Sequence, residues 1–369
     1  MRGTSHLLAV MPHLLGYLPE RSLVVVATRV ERSGGGVHRG AVAMSLRVDL
    51  PPPEHVQGMR QVLEGPLRRL VQDGGRLLLH TFIYDPPGGG SQQGYDEGYV
   101  EQLLAVLEEA ARPSGIAVHD LDLVRAGGRE HRRLLVATDR VDERWRPSPA
   151  AADVPATADL VWQGRAPASS RSEVAAAIRH QDESACAATD LALTMLAADP
   201  ARLDQDRALA ALGAWVVRGE PAPTAKDRAW IAVELHDKQV RDALLGRWLP
   251  QTFQLEELLD PPAAASFRQH VPAWPVDGST EALDRLLRLA SQVPRDLTAP
   301  LMTVASFVAW VTGQGTIANE ACDLALEVDP DYRMAGLLRD CLVSGVRPPQ
   351  ADRATRRARD RAQDRGRAA

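Results

Sequence analysis

The sequence predicts an α+β protein: an N-terminal mixed β-sheet domain with covering helices, followed by an all-α helical domain. Three observations carry this. Leu23–Ala27 is an unbroken apolar run rich in valine and bounded by turn formers, the pattern of a strand buried on both faces. Between residues 22 and 138, strand-like and helix-like stretches follow in the order ββαβαββ, a mixed sheet and not strict βαβ alternation. From Ser172 onward, Leu and Ala recur at three- and four-residue spacing with no further strand pattern.

In chain order, the apolar run Leu7–Leu18 reads as a structural helix; Pro12 and His13 interrupt it, and no small-residue cleavage site follows. Gly16 and Pro19 turn the chain into the first strand, 22–30. A polar loop with Gly34-Gly35-Gly36 leads to a second strand, 40–50, where Val42, Met44, Leu46 and Val48 alternate with polar residues as in an antiparallel hairpin partner. Pro51-Pro52-Pro53 stops that strand. A helix follows over 54–72, its apolar face set by Val56, Met59, Leu63, Leu67 and Leu70, with Gly65 and Pro66 as a predicted break. The apolar strand 76–84, a polar loop 85–94, a helix over 96–111 and strands at 116–125 and 132–138 complete the domain. Residues 1–140 are thus the sheet domain and 141–171 a Pro/Ala/Ser-rich linker. Residues 172–349 form the helical domain, and 350–369 an Arg-rich tail read as disordered and solvated. Helices are predicted at 172–180, 184–198, 203–218, 225–247, 279–292, 299–312, 315–328 and 332–344, with a looser Pro-rich passage at 249–277.

Composition narrows the function classes. Hydrophobic residues make up 45% and charged residues 25% of the 369, as in an ordinary globular protein. Lys226 and Lys238 are the only lysines among 43 basic residues. The net charge of −5 divides into +4 on residues 352–369 and −9 on the rest, so the folded part does not resemble a nucleic-acid grip. No stretch reaches the roughly 18 apolar residues of a membrane span. Cys186, Cys322 and Cys341 lie at no metal-ligand spacing and read as small buried hydrophobes in a reducing cytoplasm.

No motif names a reaction. The glycine runs 34–36 and 88–90 lack the GK[ST] or GxGxxG context of a phosphate cradle and read as loops. There is no HExxH and no GxSxG. His80, in mid-strand, reads as a satisfied core or edge residue. No catalytic residue, metal site or cofactor is predicted. Two loops hold candidate ligand-binding groups: His13, Glu20 and Ser22 at the corner before the first strand, and Arg165 and Arg171 in the GRAPASSR segment, where paired guanidiniums could clamp an anion. The competing readings are a structural turn for the first and a helix-starting cap, Ser170 with Glu173, for the second. In the tail, Arg353, Arg357, Arg361 and Arg365 recur every four residues, a candidate salt-sensitive contact to nucleic acid. Residues 309–338 resemble one tetratricopeptide-like helical hairpin, with Ala318, Ala321 and Ala325 small enough for close packing, though no 34-residue period recurs.

Three segments, PHLLGYLPERSLVVVA, GRAPASSRSEV and AWVTGQGTIANEACDLALEVDPDYRMAGLLRDCLVSGVRPP, resemble an uncharacterised actinobacterial family, the domain of unknown function numbered four-one-nine-two. The resemblance spans most of residues 5–349, with Gly16, Pro19, Ser22, Gly164, Arg165, Ser170 and Arg171 on its patterns. Tyr17-Leu18 and the Arg tail depart from it. It implies a bacterial cytoplasmic protein and no activity or catalytic residue.

These readings order the functional expectations. First is a non-enzymatic protein-interaction or regulatory module acting through the helical domain. The second is a small-ligand sensor or enzyme using a crevice at the sheet end. The third is a nucleic-acid-associated factor through the tail alone.

Overall fold

The computed structural model describes residues 4–33, 36–72, 76–88, 95–141, 143–162, 164–275 and 279–349. The four tail arginines lie outside the described residues. The chain divides into two compact units: residues 1–171 with 344–346, and 172–343 with the residues from 347 on.

The first unit opens with helix α1 (Thr4–Leu15), which starts and ends three residues earlier than the apolar run and continues through Pro12. Gly16 then turns the chain at φ +82°, a value that glycine reaches without the steric penalty of a Cβ. The sheet is built from β1 (Ser22–Ser33), β2 (Gly36–Asp49), β3 (Leu77–Tyr84), β4 (Val118–Arg125) and β5 (Glu130–Val136), with short β6 (Asp139–Arg140) and β7 (Arg146–Pro147) on β5. Its order is β2-β1-β3-β4-β5-β6, all antiparallel except the parallel β3–β4 pair. The mixed sheet is as predicted, and the central Leu23–Ala27 run is fully buried.

Helices α2 (Met59–Gln72) and α3 (Glu97–Ala111) cover one face of the sheet. Leu23, Val25, Ala27, Leu79, Ile83, Leu121, Leu123 and Leu135 meet Met59, Leu63, Leu67, Leu103 and Leu107 there in one apolar core. Helix α2 is not broken at Gly65-Pro66. Pro66 has no N–H to bond the carbonyl of Val62, and Val62 is half exposed, so water can satisfy it. A 3₁₀ turn over Pro53–Gly58 precedes α2 where helix was expected.

The segment 141–171 is no bare linker. It contributes β7, a 3₁₀ turn and helix α4 (Pro155–Trp162), which packs on α1 through Val154, Ala156 and Leu160 against Ala9, Val10 and Leu14.

The second unit is all helical: α5 (Arg171–Arg179), α6 (Glu183–Ala198), α7 (Gln205–Gly213), α8 (Ala225–Glu234), α9 (Lys238–Trp248), α10 (Leu255–Leu258), α11 (Pro261–His270), α12 (Ser279–Ala290), α13 (Ala299–Val311), α14 (Gly315–Val328) and α15 (Arg333–Val343). A continuous core including Leu212, Trp230, Leu244, Trp248, Leu286, Val304 and Val308 holds it together. The single helix expected over 225–247 is two, because the Asp237 carboxylate accepts from the Gln239 N–H and starts a new helix. Likewise Asp260, with Pro261 at the first helical position, starts α11 inside the passage expected to be loose. Ala318, Ala321 and Ala325 are fully buried where α14 packs on its neighbours. Cys322 is buried as expected, whereas Cys186 and Cys341 are half-buried.

Candidate functional site

At one end of the sheet the start of β1 and the carboxyl ends of β3 and β4 come together, since Ser22 pairs with Tyr84 and Tyr84 with Val124. Three residues there hold positive φ without being glycine: Arg21 at +40°, Asp85 at +46° and Ala126 at +56°. Such conformations cost of order 1 kcal/mol each and persist where surrounding bonds enforce them. The bonds are present: Asp85 N–H donates to Val124 O at 2.8 Å, and Leu50 N–H to Arg21 O at 2.9 Å. The Arg21 N–H also bonds the Asp85 carboxyl, which burial and the neighbouring Glu20 push above the usual carboxylate range.

The two predicted loops meet here. Tyr17 and Ala168 form a parallel bridge, with Leu18 N–H donating to Ala168 O and Ala168 N–H to Gly16 O. His13, buried at the end of α1, bonds the main-chain oxygen of Arg165 through Nδ1 at 2.9 Å. A carbonyl can only accept, so Nδ1 carries the proton and Nε2 is the remaining polar atom of the ring.

Ser22 is fully buried; it donates to Glu20 O at 2.5 Å and accepts from Arg47 Nε at 2.8 Å. Arg47 pairs with Asp49 at 2.5 Å, and Arg171 reaches the other Asp49 oxygen at 3.9 Å. Ser22 and Arg171 therefore belong to one chain of hydrogen bonds and ion pairs through Arg47 and Asp49, which Glu20 joins by its main-chain oxygen. Arg165 is partly buried, and desolvation pulls its pKa down. The GRAPASSR segment also starts α5 at Arg171, which puts Ser170 at the N-cap position.

Beside this corner lies a cavity of about 350 Å³. Leu8, Pro12, Leu18, Pro19, Pro149 and Pro167 give it apolar walls, and its polar side chains are His13, Tyr84, Arg129 and Ser148. Of the five predicted site residues, only His13 lines it. Tyr84, Arg129 and Ser148 can donate a hydrogen bond, His13 Nε2 donates only when the ring carries a second proton, and no carboxylate lines the cavity. Ser148 Oγ stands 3.5 Å from Nδ1 of the buried His131, too far for a base to activate it.

Behind the cavity, the sheet face opposite α2 and α3 is polar to an extent the sequence did not reveal. Thr28 Oγ1 lies 3.0 Å from His80 Nε2, and His80 Nδ1 lies 2.7 Å from Asp120 Oδ2. The other Asp120 oxygen accepts from Ala137 N–H at 3.2 Å. The order hydroxyl, imidazole, carboxylate is that of a nucleophilic triad. All three residues are 2% exposed or less, so no substrate reaches them. The array satisfies buried polar atoms, and His80 is the bonded core residue expected.

Two residues along β4, Asp122 is 1% exposed, and neither of its oxygens has a hydrogen-bond partner; Arg133 Nε stands 3.5 Å away. Desolvation, opposed by Arg133 and reinforced by Asp120 and Glu143, raises the Asp122 pKa to about 7. Tyr84, in the cavity wall, is itself buried, and desolvation plus the Asp122 and Asp85 charges raise its pKa. The register shifts at Leu79/His80 and Leu121/Asp122 fall in this layer and re-aim its side chains. Alternation along β3 and β4 could have flagged His80, Asp120 and Asp122 as one face. What covers that face is α1, Arg133 Nη2 donating to Ser5 Oγ at 2.7 Å, and no local pattern announces that contact.

Comparison with known proteins is consistent with this architecture being a family property. A family model described as a domain of unknown function, DUF4192, matches residues 5–349. The chain belongs to this family. The match takes in both units, the corner, the cavity and the polar sheet face, and it ends at Pro349, before the Arg tail. No curated protein and no solved structure matches the chain. Among the described residues no helix is long and apolar enough to cross a membrane, and no group of His, Cys, Asp and Glu is placed to hold a metal ion.

Proposed function

We propose that the first unit of this DUF4192 protein is a ligand-binding domain that takes a small, mostly apolar molecule with an anionic head group into the cavity beside His13. The observation that carries this is the lining: proline and leucine walls, three donor side chains beside the His13 imidazole, and no carboxylate. The cavity size suits a ligand rather than a single water, and its place at the carboxyl ends of the parallel pair is where open α/β sheets bind ligands. Binding is favoured over catalysis because the one hydroxyl–imidazole–carboxylate array is sealed and Ser148 lacks a base in bonding range. In calorimetric titrations of the full chain with straight-chain carboxylates from butyrate to octanoate, saturable binding is expected, weakened about fivefold or more by Arg129→Gln and by His13→Gln, in line with a charge-assisted bond. Absence of binding, or binding indifferent to both changes, refutes the reading.

The second reading, docking of a protein partner on the helical unit, is supported by α6, where Leu191 and Met195, one turn apart, are 64% and 57% exposed. The tetratricopeptide-like hairpin and the acidic body accord with it. A stoichiometric partner that co-purifies with the full chain and is lost on Leu191→Asp/Met195→Asp bears it out; a partner retained by that variant contradicts it. The lysine-poor, arginine-rich composition supports an actinobacterial cytoplasmic setting for either role. Nucleic-acid contact through the tail is tested by deleting residues 350–369.

A further inference from the structure

Asp122 is a buried carboxyl group whose one described ion pair is loose: Arg133 Nε stands 3.5 Å from Oδ1, and neither oxygen accepts a well-formed hydrogen bond. A buried polar atom left in that state costs about 1–3 kcal/mol, more for a charge. The neighbouring Asp120 shows the alternative, with both oxygens bonded. The charged groups around Asp122 come from several elements: Arg133 from β5, Asp120 from β4 itself, Tyr84 from β3, and Glu143 from the segment after β6. Helix α1 bears the titratable His6 and His13, and its Ser5 hydroxyl accepts from the other end of Arg133.

Asp122 adjoins the cavity through Tyr84. Phe82 pairs with Asp122 and Tyr84 with Val124, so Tyr84 and Asp122 are diagonal neighbours on one face of adjacent strands. Helix α1 bridges the same two places, bonding Arg133 through Ser5 and lining the cavity with Leu8, Pro12 and His13. A negative charge entering the cavity is thus brought close to a carboxyl group that is poorly solvated and poorly paired.

Resting on the ligand reading above, we propose that the cavity takes up its anion together with a proton, held by Asp122 behind Tyr84. The energetics are those of reciprocal linkage: whatever the anion adds to the proton affinity of Asp122, the proton adds to the affinity for the anion. No bond other than the carboxyl O–H forms, and the proton comes from solvent. The pKa of about 7 places the exchange in the neutral range.

The probe is hexanoate, monovalent from pH 6 to pH 8, titrated calorimetrically into the full chain at both values in two buffers of different ionisation enthalpy. The wild type is expected to bind several-fold more tightly at pH 6, with a limit of about tenfold if only the protonated form is competent. It is also expected to take up a fraction of a proton per hexanoate at pH 8. Asp122→Asn is expected to bind with much less pH dependence and with no buffer-dependent enthalpy; this comparison separates Asp122 from His13. Circular dichroism and the melting transition show that the variant is folded, and Asp122→Leu serves if it is not. Binding that is equally strong at both pH values, or a pH dependence that survives in the variant, overturns the proton coupling while leaving the ligand reading intact. No hexanoate binding by the wild type at either pH overturns both.

Discussion

The two faces of the first unit's sheet are equally buried and chemically opposite. Toward α2 and α3, the inward side chains of the central strands are aliphatic except Thr81, with Arg29 and Arg132 toward the margins, and the helices answer with leucine. Toward α1, Thr28, His80, Asp120, Asp122 and Tyr84 lie among valines and Phe82. One face derives stability from area and packing density. The other spends stability on desolvated polar groups, which a domain built only to fold would replace with apolar ones. The polar face is also the one that backs the cavity. On the proposed reading, the face under α2 and α3 serves folding and the α1 face serves ligand binding.

The comparison can be broken most forcefully at His80. His80→Ala removes the hub of a buried array and takes the imidazole from both Thr28 Oγ1 and Asp120 Oδ2, an expected loss of about 3–5 kcal/mol in urea unfolding. Replacing the whole array, Thr28→Val with His80→Leu and Asp120→Leu, is expected to cost less than His80→Ala alone. A triple variant that costs the sum of three large losses would show that the face is as much a packing core as its opposite. On the apolar face, Leu63→Ala should cost about 2–5 kcal/mol through the cavity it leaves.

A smaller and more diagnostic effect is the pH dependence of stability. The folded Asp122 pKa, about 7, exceeds the unfolded value near 3.8, so between those values the folded chain binds more protons. Its stability therefore falls as pH rises through that window, and above 7 the buried charge is fully felt. Asp122→Asn should flatten this slope, gaining relative to wild type at pH 8 and not at pH 4, as melting temperatures across the range would show. At the corner, Ser22→Ala removes the acceptor for Arg47 Nε and should cost about 1 kcal/mol.

The same contrast explains what could be read in the sequence. The apolar face was legible because Leu23–Ala27, Leu63, Leu67, Leu103 and Leu107 announce burial by period alone. Whether the corner and the GRAPASSR segment meet was open in the sequence; they do, through the backbone of Tyr17, Leu18 and Ala168. Ser22 and the main-chain oxygen of Glu20 bond Arg47, and Arg171 faces Asp49, so these three do not line the cavity. Of the predicted residues, His13 reaches it. Tyr84, Arg129 and Ser148 went unnoticed because they come from three separate segments, and only the sheet order brings them together. Asp122 was invisible for a similar reason: a strand that alternates Leu and Asp reads as half-solvated, and it takes α1, more than a hundred residues earlier, to bury it.

The most direct test of the account is the position of a bound anion. In a crystal of the full chain grown with hexanoate, the carboxylate is predicted to lie within hydrogen-bond reach of at least two of His13 Nε2, Arg129 and Ser148 Oγ, with its chain along Pro12, Leu18 and Pro167. A hexanoate ordered elsewhere, or an empty cavity at saturating concentration, would contradict the assignment of this face to ligand binding.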